Sequence, residues 1–278
     1  MEVAYLGPAG SFSSLAVDFL VPTALKVPQS SLQTVMASQA DYFVVPVENS
    51  LEGSVLPLLD LIVKKCPPIQ AELILPIKQQ LLIQPHFLSH WQQAKKIYSH
   101  SQALAQVQPF IERYLPNSQS VPLDSTTAGA NWLLEHPQEN SVAVGSIEAA
   151  KEFGLAIAQK NIQSNEQNAT RFWLLGETAP QRKASLQHKA SLIVDLAQDQ
   201  PGSLHQILAF FAQQRLNLTK IESRPKKTCL GEYYFLIDVQ IPQDPQAFPR
   251  CLKALTREGI NYRHLGTYPV YHVSSIVS

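Results

Sequence analysis

The stretch KIYSHSQALAQVQPFIERYLPNSQSVPLDSTTAGANWLLE, Lys96 to Glu135, reads as strand, helix, strand, helix. Lys96 to Ser99 and Ser120 to Leu123 are short and rich in β-formers. Between them Gln102 to Tyr114 carries a helical pattern, with Ser101 as an N-cap candidate and Pro116 just beyond the end. Thr126 to Glu135 is the next helix. Strands alternating with helices at this spacing predict an α/β architecture with a mainly parallel sheet.

The same alternation extends both ways. Strands are expected at Val3 to Leu6, Tyr42 to Val47, Leu73 to Ile83 (as one or two), Ser141 to Val144 and Arg171 to Leu175, and further helices at Ser54 to Lys65 and Ser146 to Phe153. From Gly176 to Lys189 the apolar periodicity is lost, which marks a linker. Beyond it the order changes to strand Ala190 to Leu196, helix Pro201 to Leu216, strands Thr219 to Ser223 and Tyr233 to Gln240, helix Pro245 to Arg257 and strand Asn261 to Val270. That βαββαβ order is ferredoxin-like.

Chain-wide properties narrow the function. Lys plus Arg and Asp plus Glu number 22 each in 278 residues, so there is no basic surplus of the kind nucleic-acid binding requires. Hydrophobic residues make up 45%, enough to bury a substantial core. No apolar run approaches the roughly 20 residues of a membrane span, and the start, MEVAYLG, lacks the features of a secretory signal. Cys66, Cys229 and Cys251 are odd in number and without metal-ligand spacing, so neither disulfides nor a metal site are expected, and a cytoplasmic setting fits.

Chemistry gathers where strands give way to helices: GPAGSFS (Gly7 to Ser13), ENSLEGS (Glu48 to Ser54), SHSQ (Ser99 to Gln102), STTAG (Ser125 to Gly129), and Gly145 with Ser146. Each hydroxyl taken singly is an ordinary N-cap. Together, at the carboxyl ends of strands in an open α/β sheet, they form a candidate site for a small anion, probed by helix N-termini. Gly7, Gly10 and Gly53 would let backbone approach a ligand. Neither a dinucleotide fingerprint nor a phosphate loop is present. Glu48 reads as an acid or base or, more simply, as a carboxylate at a helix start. His100 reads as polar lining rather than the base of a hydrolytic serine. In NATRF (Asn168 to Phe172), Arg171 suits a carboxylate but is equally a solvated strand end.

GPAGSFS, PVENSLEGSV (Pro46 to Val55), SHSQALAQ (Ser99 to Gln106), STTAGA (Ser125 to Ala130), AVGS (Ala143 to Ser146) and NATRF resemble, in order and spacing, the motif series of the prephenate dehydratases. The C-terminal βαββαβ unit resembles their regulatory ACT domain. The resemblance implies a two-lobed catalytic domain similar to type 2 periplasmic binding proteins over residues 1–178, its second lobe at about 76–155, then a linker at 179–189 and an ACT domain at 190–278. It implies a lyase that converts prephenate to phenylpyruvate with loss of carbon dioxide and water, without metal or organic cofactor, as a homodimer or homotetramer inhibited by L-phenylalanine. With the first motif starting at Gly7, the chorismate mutase segment that some members carry ahead of it is not expected here. On the same basis Thr170 is the catalytic residue, and Ser11, Asn49, Ser50, Ser125, Thr126, Arg171 and Phe172 bind substrate, with Arg171 anchoring a carboxylate. Gly202, Ser203, Leu204, Asn217, Leu218, Glu222 and Ser223 fall at the phenylalanine-binding positions. Gly129 stands where the family usually has Ala and is expected to shape the pocket. The alternatives are an arogenate dehydratase and a non-catalytic amino-acid-sensing binder.

Overall fold

The computed structural model describes residues 1–180, 185, 187–195, 200–226 and 233–273. Leu196, Cys229, much of the expected linker and the last five residues lie outside them. Two compact units result, one from Met1–Val55, Ile74–Phe172 and Val273, the other from Leu56–Leu73 and Trp173–His272.

The first unit opens with β1 (Glu2–Leu6), α1 (Phe12–Leu20), β2 (Leu25–Gln29), α2 (Leu32–Ala37), β3 (Tyr42–Asn49) and β4 (Gly53–Ser54). α3 (Leu56–Lys64) and the first half of β5 (Ile69–Pro76) belong to the other unit. Then follow β6 (Gln80–Ile83), β7 (Lys96–His100), α4 (Ser101–Gln106), α5 (Gln108–Tyr114), β8 (Gln119–Leu123), α6 (Thr126–Glu135), β9 (Val142–Gly145), α7 (Ile147–Glu152), β10 (Ala156–Gln159) and β11 (Ala169–Gly176).

These strands make two lobes. In the first the order is β11-β3-β1-β2, with β1 parallel to both β2 and β3. β1 is covered on both faces, so Val3, Ala4 and Tyr5 are all buried, as an internal parallel strand demands. The second lobe runs β10-β6-β9-β7-β8, parallel around β7 and antiparallel around β6. The chain passes between lobes twice, and the two crossovers are bonded to one another: Ile77 N–H donates to Asn168 O at 2.8 Å and Ile162 N–H to Gln79 O at 2.9 Å.

Several local expectations need correcting. The helix read across Gln102 to Tyr114 is two, broken at Val107 (φ −112°), because Pro109 has no N–H to continue the ladder. Ser101 is the first helical residue of α4; its N-cap is His100, with no side-chain capping bond. β2 and β10 escaped the reading because both are edge strands with little apolar alternation, and β2 carries Pro28, which an edge tolerates.

In the C-terminal unit, β12 (His188–Asp195), α8 (Ser203–Gln213), β13 (Asn217–Pro225), β14 (Tyr233–Gln240), α9 (Ala247–Arg257) and β15 (Asn261–His272) give the expected βαββαβ order. The sheet is antiparallel, β13-β14-β12-β15, with β5 beside β15. Leu192, Val194, Ile237 and Val239 meet Ile207 and Phe211 of α8 and Phe248 and Leu255 of α9 in one core. Polar groups are buried in pairs here. Glu72, fully enclosed, accepts from Lys189 Nζ at 2.7 Å and Trp173 Nε1 at 3.2 Å. Ser191 Oγ donates to Asp238 Oδ1 at 2.6 Å, and Arg224 Nη2 to Asp60 Oδ1 at 2.7 Å. Burial pushes the Cys66 and Cys251 thiols up to about 12, so neither is a nucleophile at neutral pH.

Candidate active site

Within the first unit the carboxyl ends of the parallel strands face a cleft of about 420 Å³. Four of the five strand-to-helix junctions singled out in the sequence reach it. The β1–α1 turn contributes Gly7 and Ser11, β3 contributes Asn49, the start of α4 contributes His100 and Gln102, and the start of α6 contributes Ser125, Thr126 and Thr127. The fifth does not. Ser146 caps α7 through Ala149 N–H at 2.9 Å and donates to Gly10 O at 2.7 Å, so it fastens the β1–α1 turn to α7 instead.

The hydroxyls are caps as well as lining. Ser11 Oγ accepts from Ser14 N–H at 3.2 Å and Ser125 Oγ from Ala128 N–H at 3.0 Å. Each cap holds its helix start against the cleft, and Phe12 and Ser13, whose N–H groups have no intrahelical acceptor, line it too. An anion there meets the positive end of α1.

On β11 successive side chains alternate between faces. Thr170 and Phe172 line the cleft, with Phe172 almost fully buried in its wall. Arg171 does not line it: Nη1 donates to Glu48 Oε2 at 2.6 Å, and the pair is mostly shielded. The expected role of Arg171 as the carboxylate anchor finds no support in this lining; its partner is Glu48, which lies on a strand rather than at a helix start. Ser50 is also outside the lining. Its Oγ accepts from Ala169 N–H at 3.0 Å and donates to Gln167 O at 3.1 Å, tying β3 to the approach to β11. Among the described residues lining the cleft none is Lys or Arg; His100 is the basic side chain, and Glu52 and Asp124 are exposed acids.

Neutral amides take their place. Asn49 Nδ2 donates to Thr170 Oγ1 at 3.0 Å and to Asn168 Oδ1 at 2.8 Å, while Asn49 Oδ1 accepts from Leu51 N–H at 2.9 Å. Asn168 Nδ2 donates to Gln106 Oε1 at 3.2 Å, which also accepts from Gln79 Nε2 at 3.4 Å. Gln79, Gln102, Gln106 and Asn168 all line the cleft and were not singled out by the sequence reading. Gln102 and Gln106, four apart on one helix face beside a ligand-bearing junction, were the available signal.

Gly129 does not shape the pocket. It sits inside α6 against the second sheet, where a Cβ would stand 2.6 Å from Tyr98 O. Of the other glycines, Gly7 reaches the cleft, whereas Gly10 (φ +78°) packs on Ala149 and Gly53 (φ +80°) turns the chain between β3 and β4.

In the C-terminal unit, Gly202 (φ +91°) is the N-cap of α8 and is followed by Ser203 and Leu204. Asn217, bonded to Gln240 Oε1 at 3.1 Å, and Leu218, packed on the core, begin β13 after the other end of that helix. Eleven residues of α8 span about 16 Å, so one chain does not gather Gly202 and Asn217 into one pocket. Glu222, with Lys220 at 3.5 Å, and Ser223 lie toward the far end of β13.

Comparison with known proteins agrees with this geometry. The prephenate dehydratase family model matches residues 3–180 and the ACT domain model residues 190–257. The prephenate dehydratase of Bacillus subtilis is 37% identical, over 98% of this chain and 100% of that one. Among solved structures, prephenate dehydratase from Arthrobacter aurescens in complex with L-Phe is 33% identical with a TM-score of 0.82, covering 97% of this chain and 90% of that one. A protein described as GqqA, a novel type of quorum quenching acylase, is 26% identical with a TM-score of 0.85, covering 97% of this chain and 98% of that one. With more than half its length matched and near-complete overlap with relatives, the chain belongs to the prephenate dehydratase family.

Proposed function

We propose that this chain converts prephenate to phenylpyruvate, water and carbon dioxide, and that Thr170 is the group that meets the departing hydroxyl. As the ring carboxylate leaves as carbon dioxide, its electron pair enters the ring, the C–O bond breaks and the hydroxyl takes up a proton, drawn from solvent water, to leave as water. Aromatisation drives the step, so the site must assist hydroxyl departure and hold the rest still. The observation that carries the reading is the polarity of the Asn49–Thr170 contact. Leu51 N–H fixes the Asn49 oxygen, so its nitrogen faces Thr170 and Thr170 Oγ1 accepts. The Thr170 proton is then free to point at a ligand oxygen. A threonine hydroxyl donates a hydrogen bond there rather than a whole proton.

Without Lys or Arg in the described lining, the two carboxylates are held by the first turns of α1 and α6 beside Ser11, Ser125 and Thr126, with Phe172 against the ring. Asn49 acts through Thr170, and Ser50 and Arg171 act by fixing β3 and β11. The catalytic part is residues 1–178, and residues 190–278 after the linker form the regulatory part. L-phenylalanine binds that part, between paired copies of a homodimer or homotetramer, through Gly202, Ser203, Leu204, Asn217, Leu218, Glu222 and Ser223, and shifts the cleft between open and closed populations. The setting is cytoplasmic; no helix among the described residues is long and apolar enough to cross a membrane.

Purified protein assayed with prephenate and with arogenate, each with and without millimolar L-phenylalanine, tests this. The expected result is turnover of prephenate that phenylalanine suppresses. Turnover of arogenate alone transfers the reading to the amino analogue. Amide hydrolysis without dehydration would overturn it in favour of acylase chemistry, for which His100 would have to activate a hydroxyl; among the described residues it is bonded to none.

A further inference from the structure

Asn168 is 2% exposed and lines the cleft, and both ends of its amide are engaged with one polarity. Its oxygen accepts from Asn49 Nδ2 at 2.8 Å and its nitrogen donates to Gln106 Oε1 at 3.2 Å. Gln79 Nε2, at 3.4 Å, donates to that same Gln106 oxygen, so two donors keep it facing Asn168. The four amides thus form one connected chain, in which Gln79 and Asn168 both donate to Gln106, and Asn49 donates to Asn168 and to Thr170.

The two ends differ. At one, Asn49 is oriented by the Leu51 backbone N–H. At the other, the Gln79 side-chain oxygen is buried with no hydrogen-bond partner among the described residues, although Gln79 itself is only 3% exposed. A buried amide oxygen left without a donor costs stability. Turning Gln79 over would place its oxygen against that of Gln106, so the observed orientation keeps the Gln106 oxygen an acceptor facing Asn168.

An Asn49 amide nitrogen has two N–H groups and here three acceptors: Asn168 Oδ1 at 2.8 Å takes one, and the other is shared between Thr170 Oγ1 at 3.0 Å and the more distant Ala169 O at 3.3 Å. We propose that Asn168 is a positioning residue for Thr170: by holding one Asn49 N–H it makes Thr170 an acceptor from Asn49 and hence a donor to the ligand, and Gln79 supports it through Gln106. The chain also spans the fold. Gln106 ends α4 in the second lobe, Gln79 and Asn168 lie on the two crossovers, and Thr170 belongs to the first lobe. This inference rests on the reading of Thr170 given above.

Two substitutions at Asn168 separate positioning from bulk structure. Asn168→Ala removes the acceptor for Asn49 and is expected to lower kcat about 10- to 100-fold with little change in KM, the size of losing one aligned donor. Asn168→Asp keeps an acceptor facing Asn49, so kcat should stay within about 5-fold of the parent, while the added charge beside a dianionic ligand raises KM, an effect that should fade as pH falls and the carboxyl, held above the ordinary Asp range by burial and the ligand's charge, takes up its proton. Gln79→Leu is expected to lower kcat a few-fold in the parent and not at all in the Asn168→Asp background, where a carboxylate presents an oxygen to Asn49 whichever way Gln106 faces.

Cooperative thermal unfolding establishes that each variant is folded. If Asn168→Ala is not, Asn168→Asp and the Gln79 pair decide. Normal kcat in Asn168→Ala, or a loss of kcat in Asn168→Asp as deep as in Asn168→Ala, would overturn the proposal. So would equal Gln79→Leu effects in both backgrounds. Thr170→Ala run alongside keeps the two readings apart. If it is nearly normal, the role of Thr170 itself falls; if it is inactive while Asn168→Ala is normal, only the positioning role falls.

Discussion

In the C-terminal unit Glu72 is sealed from solvent against Lys189, and Asp60 is held by Arg224. In the cleft of the first unit the polar lining is mostly amides, hydroxyls and helix N-termini, with His100 and the exposed acids Glu52 and Asp124 beside them, and the arginine nearest in sequence to Thr170 is occupied with Glu48 on the other face of its strand. Permanent charges are used where both partners belong to the protein and desolvation can be offset once, on folding. Where the ligand supplies the charge and one of its two carboxylates is lost as neutral carbon dioxide, oriented neutral dipoles avoid holding the product too firmly.

The largest effect is expected at the donor end of the dipole array. Thr170→Ala should lower kcat by about 10³-fold at nearly unchanged stability, read by steady-state kinetics and thermal unfolding together. Retained kcat would remove the cleft side of the contrast. On the charged side, Lys189→Met leaves Glu72 enclosed without its cation and should cost about 3 kcal/mol in urea unfolding. A cost near zero would mean that Glu72 is satisfied without Lys189, and that the buried pair is no different in kind from the neutral lining.

A smaller loss separates packing from site. Gly129→Ala places a methyl group 2.6 Å from the Tyr98 carbonyl, and α6 must move to admit it. Stability should fall by about 2 kcal/mol, with KM for prephenate altered only as far as the start of α6 shifts. A change of substrate preference at unchanged stability would return Gly129 to the pocket. This residue shows where reading the sequence stops. The strand-to-helix junctions were legible because caps and turns are local chemistry, and so were the order of elements, the βαββαβ unit and the family motifs. That the Gly129 position backs onto Tyr98 depends on which sheet α6 crosses, a non-local fact. The contact of Asn49 with Thr170 joins residues 121 apart, and no local pattern encodes it. Strand alternation does separate Thr170 from Arg171, but which face meets a ligand is decided by what packs behind it. The edge strands β2 and β10 were missed for the complementary reason, since little packs on them to impose a pattern.

The smallest effect is expected at Arg171. If it anchored a substrate carboxylate, Arg171→Gln would raise KM by about 100-fold or more, since a charge-assisted pair removed from a binding site costs about 3 kcal/mol. Bonded instead to Glu48 at 2.6 Å with both side chains mostly shielded, it should affect KM less than about 3-fold and stability by about 1 kcal/mol, an ordinary value for a pair of this exposure. Salt gives an independent reading. Helix N-termini act at short range and the rim, with Glu52 and Asp124 exposed on it, exerts no long-range attraction on an anion, so kcat/KM should not fall with salt and should change less than about 2-fold between 50 and 300 mM salt. A steep fall with salt combined with a large Arg171→Gln effect would show that a cation does capture the substrate, and the distinction between the charged unit and the dipolar cleft would collapse.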